Sequence, residues 1–302
     1  MLGDFTACEI CGSENWCTVY QGAVRDGAFG TLHEGATVAR CGGCGVDRLA
    51  EHICPHDGFY ETEAYRRKLG QDLSTGAYLA AAKELQSFAL AAIEPALLKN
   101  KTVADVGCAG GSFLDHIARV TNRKVAIEPS SIYRDSLTDR GFAVFPYATD
   151  AAAEFGGKVD FATSFQVIEH VRDPRDFLAR IRPLLAPGGS LLITTPNRRD
   201  ILMELLPDDF PAFFYRVVHR WYFDEDSLAN CARRAGFVVD SVRFVHRYGL
   251  SNALTWLRDR RPSGRTRLAG IESPADDCWR GYLEDGGRAD CIFMFLKADP
   301  AA

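Results

Sequence analysis

Between residues 101 and 196 the spacing of apolar positions changes repeatedly. Short apolar runs near 102–106, 123–127, 142–145, 159–164 and 190–195 predict strands. Amphipathic segments separate them, as in Phe177, Leu178, Ile181, Leu184 and Leu185. Strands alternating with helices predict an α/β fold with a parallel, doubly wound sheet. Pro187-Gly188-Gly189 predicts the stop of the last helix and a turn into Ser190-Leu191-Leu192-Ile193-Thr194-Thr195. Upstream, Leu79, Ala82, Leu85, Phe88, Ala89, Ala92, Ile93 and Leu97 fall at three- and four-residue steps and predict a long helix covering the sheet and its ligand edge. Downstream, a helix over about 225–235, closed by Gly236, leads to an apolar strand at 237–244, and 291–296 supplies the final strand.

Two aromatic-rich segments, about 197–223 and about 248–288, exceed this minimal plan. Insertions near the carboxyl ends of strands usually shape a ligand cleft, although these aromatics also suit simple packing. With 302 residues, 47% of them hydrophobic, the chain can bury a large core with a smaller appendage. No apolar run approaches the roughly 18 residues of a membrane span, and the N-terminus lacks the apolar centre of a signal peptide. A cytoplasmic protein without a membrane partner is expected. A formal charge of −5 disfavours nucleic acid unless a local basic patch exists. The arginines at 258, 260, 261, 265 and 267 are interrupted by Pro262, Ser263 and Gly264 and read as a solvated loop.

The ten cysteines are too sparse for a secreted disulfide scaffold. Cys8 and Cys11 form one C-x-x-C, and Cys41 and Cys44 another, each in a glycine-bearing turn. Two such turns present four thiolates to one tetrahedral zinc, a closed structural site without catalytic function. Strand-like stretches at 16–20 and 36–39 make residues 1–56 a zinc-ribbon-like segment, followed by a larger domain over 57–302. Redox-active or incidental cysteines are the competing readings.

Val103-Ala104-Asp105-Val106-Gly107-Cys108-Ala109-Gly110-Gly111-Ser112-Phe113 reads as a strand, a glycine turn and a helix start. Alanine and serine at the second and third glycine positions disfavour a dinucleotide. The segment resembles instead the first motif of class I S-adenosylmethionine-dependent methyltransferases, with Asp105, Gly107, Ala109 and Gly111 on its positions and Ala109 replacing the usual middle glycine. The similarity continues at Ile127-Glu128-Pro129, in Val159 through Val171, and in Leu184 through Gly189. The resemblance implies a Rossmann-like, mixed seven-stranded sheet and S-adenosylmethionine as cofactor. It also implies that Asp105, Gly107, Cys108, Ala109 and Gly111 hold the methionine portion, that Glu128 accepts from the ribose hydroxyls, and that Phe165 and Gln166 line the methyl side.

Methyl transfer to a hydroxyl needs in-line alignment and a base. His170, in the loop after the fourth strand of this motif set, is the first candidate, with Glu169 beside it; the alternative is that His170 only caps a helix or lines the pocket. His219 is the second candidate, and Tyr222 is a candidate donor to the acceptor, although an isolated aromatic is more often a packing residue. Glu169-His170 is similar to the E-x-x-E-H of ubiquinone-type O-methyltransferases, where a divalent metal is associated. Gln166 replaces the first glutamate, so no catalytic metal is expected. A small-molecule acceptor is therefore expected, methylated on oxygen. An RNA methyltransferase, a non-catalytic cofactor-binding scaffold and a cyclase using the same sulfonium remain alternatives.

Overall fold

The protein, a computed structural model, is described over residues 5–56, 58–70 and 74–300. Strands β1 (Trp16–Arg25), β2 (Leu32–Cys41) and β3 (Asp47–Leu49) form an antiparallel N-terminal sheet. Helices α1 (Ala64–Lys68) and α2 (Thr75–Ala92) follow. Helix α2 ends before the predicted Ile93 and Leu97, because Pro95 opens a separate short turn at Pro95–Leu97. Of its predicted apolar face, Ala89 and Ala92 are buried, while the side chains of Ala82 and Leu85 lie outside the described residues.

Then β4 (Thr102–Val106), α3 (Ser112–Ile117), β5 (Arg123–Ile127), α4 (Arg134–Asp139), β6 (Ala143–Phe145), α5 (Ala148–Phe155), β7 (Val159–Phe165), α6 (Pro174–Ile181) and β8 (Leu185–Pro196) alternate as expected. An insertion carries α7 (Ile201–Leu205), α8 (Pro211–Phe214) and β9 (Trp221–Tyr222). After α9 (Glu225–Arg234) and β10 (Phe237–Val245), a second insertion holds α10 (Leu250–Asp259) and α11 (Ser273–Asp285), and β11 (Cys291–Ala298) closes the chain. The larger sheet runs β10-β11-β8-β7-β4-β5-β6, parallel from β8 to β6, with β11 antiparallel to both its neighbours. Chain order reverses between β4 and β7, which opens a crevice at their carboxyl ends. Among the described residues no helix is long and apolar enough to cross a membrane.

The turn at 187–189 is a correction. Helix α6 ends at Ile181 and Pro183 starts a short turn, so β8 already begins at Leu185. Its register with β7 then jumps from Val159↔Leu185 to Phe161↔Ser190, which makes Pro187-Gly188-Gly189 a bulge inside the strand. Gly188 adopts φ +77° there.

Strand β9 pairs antiparallel with β3, so the first insertion extends the N-terminal sheet to four strands. Val24, Val38, Leu49, Tyr215, Val217 and Tyr222 bury a common core between them. A buried ion network crosses the same junction: Asp47 pairs with Arg40 and Arg198, and Arg198 also pairs with Asp224, the N-cap of α9. The two insertions meet through Trp256, whose ring packs on Phe210 and Phe213 at 5.1 and 4.9 Å.

Candidate active site

The crevice is built on β4. Val103 and Ala104 are fully buried strand residues, and the chain then turns through three left-handed positions: Gly107 (φ +79°), Ala109 (φ +46°) and Gly111 (φ +75°). A Cβ on Gly107 would lie 2.4 Å from Val167 Cγ2, so glycine there lets the loop after β7 approach closely. Ala109 tolerates the left-handed turn at a cost of about 1–2 kcal/mol. Glu128, at the end of β5, clamps the turn: its carboxylate accepts from Ala109 N at 2.7 Å and Ser130 N at 2.9 Å. Burial pushes the Glu128 carboxyl up, against those two amides. The Asp105 carboxylate accepts from Thr163 Oγ1 at 2.8 Å, and burial pushes its pKa up to about 7.

Asp105, Gly107, Ala109 and Glu128 line a cavity of about 900 Å³. His170 lines it from the opposite strand-to-helix loop. His170 Nδ1 lies 2.6 Å from the carbonyl of Val218, which can only accept, so Nδ1 carries the proton and Nε2 keeps the lone pair. Burial pushes its pKa down to about 4, opposed by that hydrogen bond and aided by Arg216. The ring is held between Tyr60, Tyr65 and His219 at centroid distances of 5.1, 5.5 and 4.7 Å. Gln166 follows β7 at φ +55°, with Nε2 donating to Thr194 Oγ1 at 3.2 Å and to Cys291 Sγ at 3.1 Å.

Glu169 is buried and does not line this cavity. Its Oε2 accepts from Thr195 Oγ1 at 3.1 Å, its Oε1 has no partner, and burial pushes its pKa up to about 7. His219 is buried behind His170 and does not line the cavity; its Nδ1 has no partner, and burial pushes its pKa well down. Ligand-capable atoms of Glu169, His170 and His219 lie within 4.8 Å of one another. Tyr222 is corrected: its buried hydroxyl accepts from Arg216 N at 2.8 Å and sits 3.0 Å from the carbonyls of Arg216 and His219, so it braces the insertion and is not at the cavity.

Residues 77–242, more than half of the chain, match the family model described as a methyltransferase domain. The span contains the glycine turn, Glu128 and His170. The chain belongs to the class I S-adenosylmethionine-dependent methyltransferases. A ubiquinone biosynthesis O-methyltransferase of Pseudomonas paraeruginosa (strain DSM 24068 / PA7) is 34% identical to it over 168 residues, 49% of this chain and 69% of that protein. The protein of the same name from Escherichia coli O127:H6 (strain E2348/69 / EPEC) is 32% identical over 164 residues, 51% of this chain and 67% of that one. A solved structure of a SAM-dependent methyltransferase from Archaeoglobus fulgidus aligns at 14% identity and a TM-score of 0.45, over 78% of this chain and 97% of that one.

In this methyltransferase Asp105, Gly107, Cys108, Ala109, Glu128, Phe165 and Gln166 all line the one cavity. Gly111 does not; a Cβ there would meet Leu137 Cδ2 at 2.6 Å, so it serves the packing of the turn. Sequence reasoning missed the lining made by Tyr60, Tyr65, Arg66 and Tyr78, the last packed against Gly110 of the turn, and it missed Arg216 and Arg247. The aromatic cluster Phe59, Tyr60 and Tyr65 was the available signal. Pro146, Tyr147 and Ala148 also line the cavity, and Tyr147 Oη donates to Glu61 at 2.6 Å.

The four N-terminal cysteines converge. Cys8 and Cys44 sulfurs lie 3.7 Å apart, Cys11 and Cys41 sulfurs 3.5 Å apart, and all four fall within 4.8 Å of one another. A disulfide would bring a pair to about 2.05 Å. Zinc–sulfur bonds of about 2.3 Å set tetrahedral edges of about 3.8 Å, so the donor set fits that ion. Gly12 and Gly45 take φ +76° and +78°, and their amides close each knuckle onto the carbonyls of Cys8 and Cys41.

Proposed function

We propose that this methyltransferase methylates a hydroxyl of a small molecule, with His170 as the general base. The observation carrying the reading is a neutral imidazole, its tautomer fixed by Val218, lining the same cavity as Asp105 and Glu128. S-adenosylmethionine, when bound, supplies the electrophilic methyl group. Asp105, the backbone of Gly107, Cys108 and Ala109, and Glu128 would hold it, with Phe165 and Gln166 on the methyl side. Asp105 fits such a cation: it is fully buried and has no cationic partner among the described residues. Tyr60, Tyr65 and His219 keep the His170 ring in place. The names of the ubiquinone biosynthesis relatives support oxygen as the acceptor atom.

Incubation with S-adenosylmethionine and hydroxylated acceptors should give a product heavier by one methylene per turnover. Cofactor consumption without that gain would sink the reading and favour cyclisation. The Glu169, His170 and His219 corner works by acid–base chemistry without a metal, because the Arg216 guanidinium lies 3.5 Å from His219 Nε2 and opposes a dication. Turnover should be unchanged on adding Mg²⁺; a marked stimulation would overturn this. The four cysteines would hold one structural zinc.

Asp105 predicts a pH dependence for cofactor binding. Below about pH 7 the carboxyl of the free protein is protonated, and a ligand ammonium requires it ionised. Affinity for S-adenosylhomocysteine should therefore rise about tenfold per pH unit up to about pH 7 and level off above it. Calorimetry in buffers of different ionisation enthalpy should show proton release below that point. Asp105→Asn should bind more weakly and lose the dependence; a flat wild-type profile from pH 5 to 8 would contradict the assignment.

A further inference from the structure

Two arginines beside the cavity have no ion-pair partner among the described residues. Arg216 lines the cavity; among the described residues its buried Nε has no partner, and its side chain makes one hydrogen bond, the 3.5 Å contact to His219 Nε2. Arg25, from β1 of the N-terminal sheet, is brought next to it by the backbone: Arg25 N donates to Tyr215 O at 2.9 Å, and Val217 N donates to Arg25 O at 3.0 Å. The Arg25 Nε is also buried without a partner among the described residues, and its guanidinium lies 4.2 Å over the Phe213 ring. Burial first, and repulsion from Arg216 second, push the Arg25 pKa down to about 9.

Among the described residues no carboxylate forms an ion pair with either; Arg216 pulls the buried Glu169 carboxyl down only weakly, against burial that pushes it up to about 7. Other buried or half-buried arginines nearby are neutralised: Arg247 by Asp290, Arg198 by Asp47 and Asp224, and Arg220 by Glu51. A second, smaller cavity near α10 also gathers arginines, but Arg267 there is paired with Asp276. Two adjacent guanidiniums without an anion are costly to bury, and an oxyanion in the cavity removes that cost. The carboxylates lining the cavity cannot fill this role, since Asp105 is tied to Thr163 and Glu128 to the amides of the glycine turn.

We propose that Arg216, backed by Arg25, recognises an oxyanion of the methyl acceptor, a carboxylate or a phosphate. This deepens the reading of the cavity as the site of methyl transfer and rests on it. The anion end of the acceptor is then held next to the base, because Arg216 contacts His219 and the His219 ring packs 4.7 Å from that of His170. It also gives the N-terminal sheet a part in acceptor choice, since Arg25 belongs to it.

The test uses the full chain loaded with S-adenosylhomocysteine and three probes of similar shape: phenol, benzoate and phenyl phosphate, titrated by calorimetry at low and high salt. At least one anionic probe should bind tenfold or more tighter than phenol, with the preference shrinking as salt rises. The ratio of benzoate to phenyl phosphate affinity identifies the carboxylate or the phosphate as the natural group. Arg216→Met should abolish the preference without altering S-adenosylhomocysteine affinity, and Arg25→Met should reduce it. The unliganded Arg216→Met protein should melt no lower than wild type, whereas loss of a merely structural arginine would lower it. Equal affinity for the three probes, no binding of any, or a preference surviving Arg216→Met overturns the proposal. If Arg216→Met does not fold, Arg25→Met and Arg216→Lys decide, and an unchanged preference in both overturns it. Failure of wild type to bind S-adenosylhomocysteine strikes the methyl-transfer reading instead.

Discussion

Replacing His170 with glutamine is expected to lower kcat by about 10²–10⁴-fold at saturating cofactor, with S-adenosylhomocysteine affinity nearly unchanged. Glutamine can still donate to the carbonyl of Val218, so no buried acceptor is orphaned and the fold should survive. What it lacks is a basic nitrogen at the cavity. The sign of the pH effect follows from the lowered pKa. The base works when neutral, and His170 stays neutral down to about pH 4. At saturating cofactor, kcat should therefore hold through pH 6.5, where an ordinary histidine begins to protonate, and fall about tenfold per unit only near pH 4. His170→Gln should lose that acid limb. His219→Gln should cost less, because His219 stands behind the base and acts through it. The reverse ranking of the two variants would exchange their roles.

Much of this site was legible because it is local. Asp105 through Gly111 sits within one strand and turn, Glu128 at the end of the next strand, and Gln166 through His170 in one loop, so periodicity and turn chemistry locate each of them. The seven strands were legible for the same reason, as apolar runs bounded by glycine, proline and polar residues. The bulge at Pro187-Gly188-Gly189 was not: the same residues stop a helix or buckle a strand, and only the pairing of Val159 with Leu185 chooses. Contacts between distant segments were invisible. A strand of two residues, Trp221–Tyr222, has no periodicity to read, yet it completes the N-terminal sheet. Tyr222 looked like a cavity residue from its neighbours, but its hydroxyl is consumed by the backbone of Arg216 and His219. Arg25 and Arg216 are nearly two hundred positions apart, and their missing counter-ions show only in three dimensions.

Loss of zinc from the cysteine site should reach the active site through that same junction. One zinc per chain is expected from metal analysis of the purified protein. Cys41→Ser removes a thiolate from a closed set of four, and structural zinc sites of this kind contribute on the order of 10 kcal/mol to folding. Each knuckle is otherwise held by two backbone bonds, Cys8 N to Ser13 O with Gly12 N to Cys8 O, and Cys41 N to Val46 O with Gly45 N to Cys41 O, and by the packing of Ile10, Trp16 and Val46. Release of β1 to β3 would strip β9 of its partner strand and part Asp47 from Arg198, breaking a buried ion pair. It would also disturb Val218, the carbonyl that fixes the His170 tautomer and accepts from Tyr60 Oη at 2.5 Å. Cys41→Ser should therefore lower the melting temperature by roughly 10 °C or more and depress methyl transfer in parallel. Cys17→Ser, at an exposed cysteine outside the cluster, should change neither. Stripping the metal with a chelator should reproduce the loss, and adding Zn²⁺ back should restore both stability and turnover. Metal-free protein that melts and turns over like the native form would exclude zinc as the element that holds this junction together.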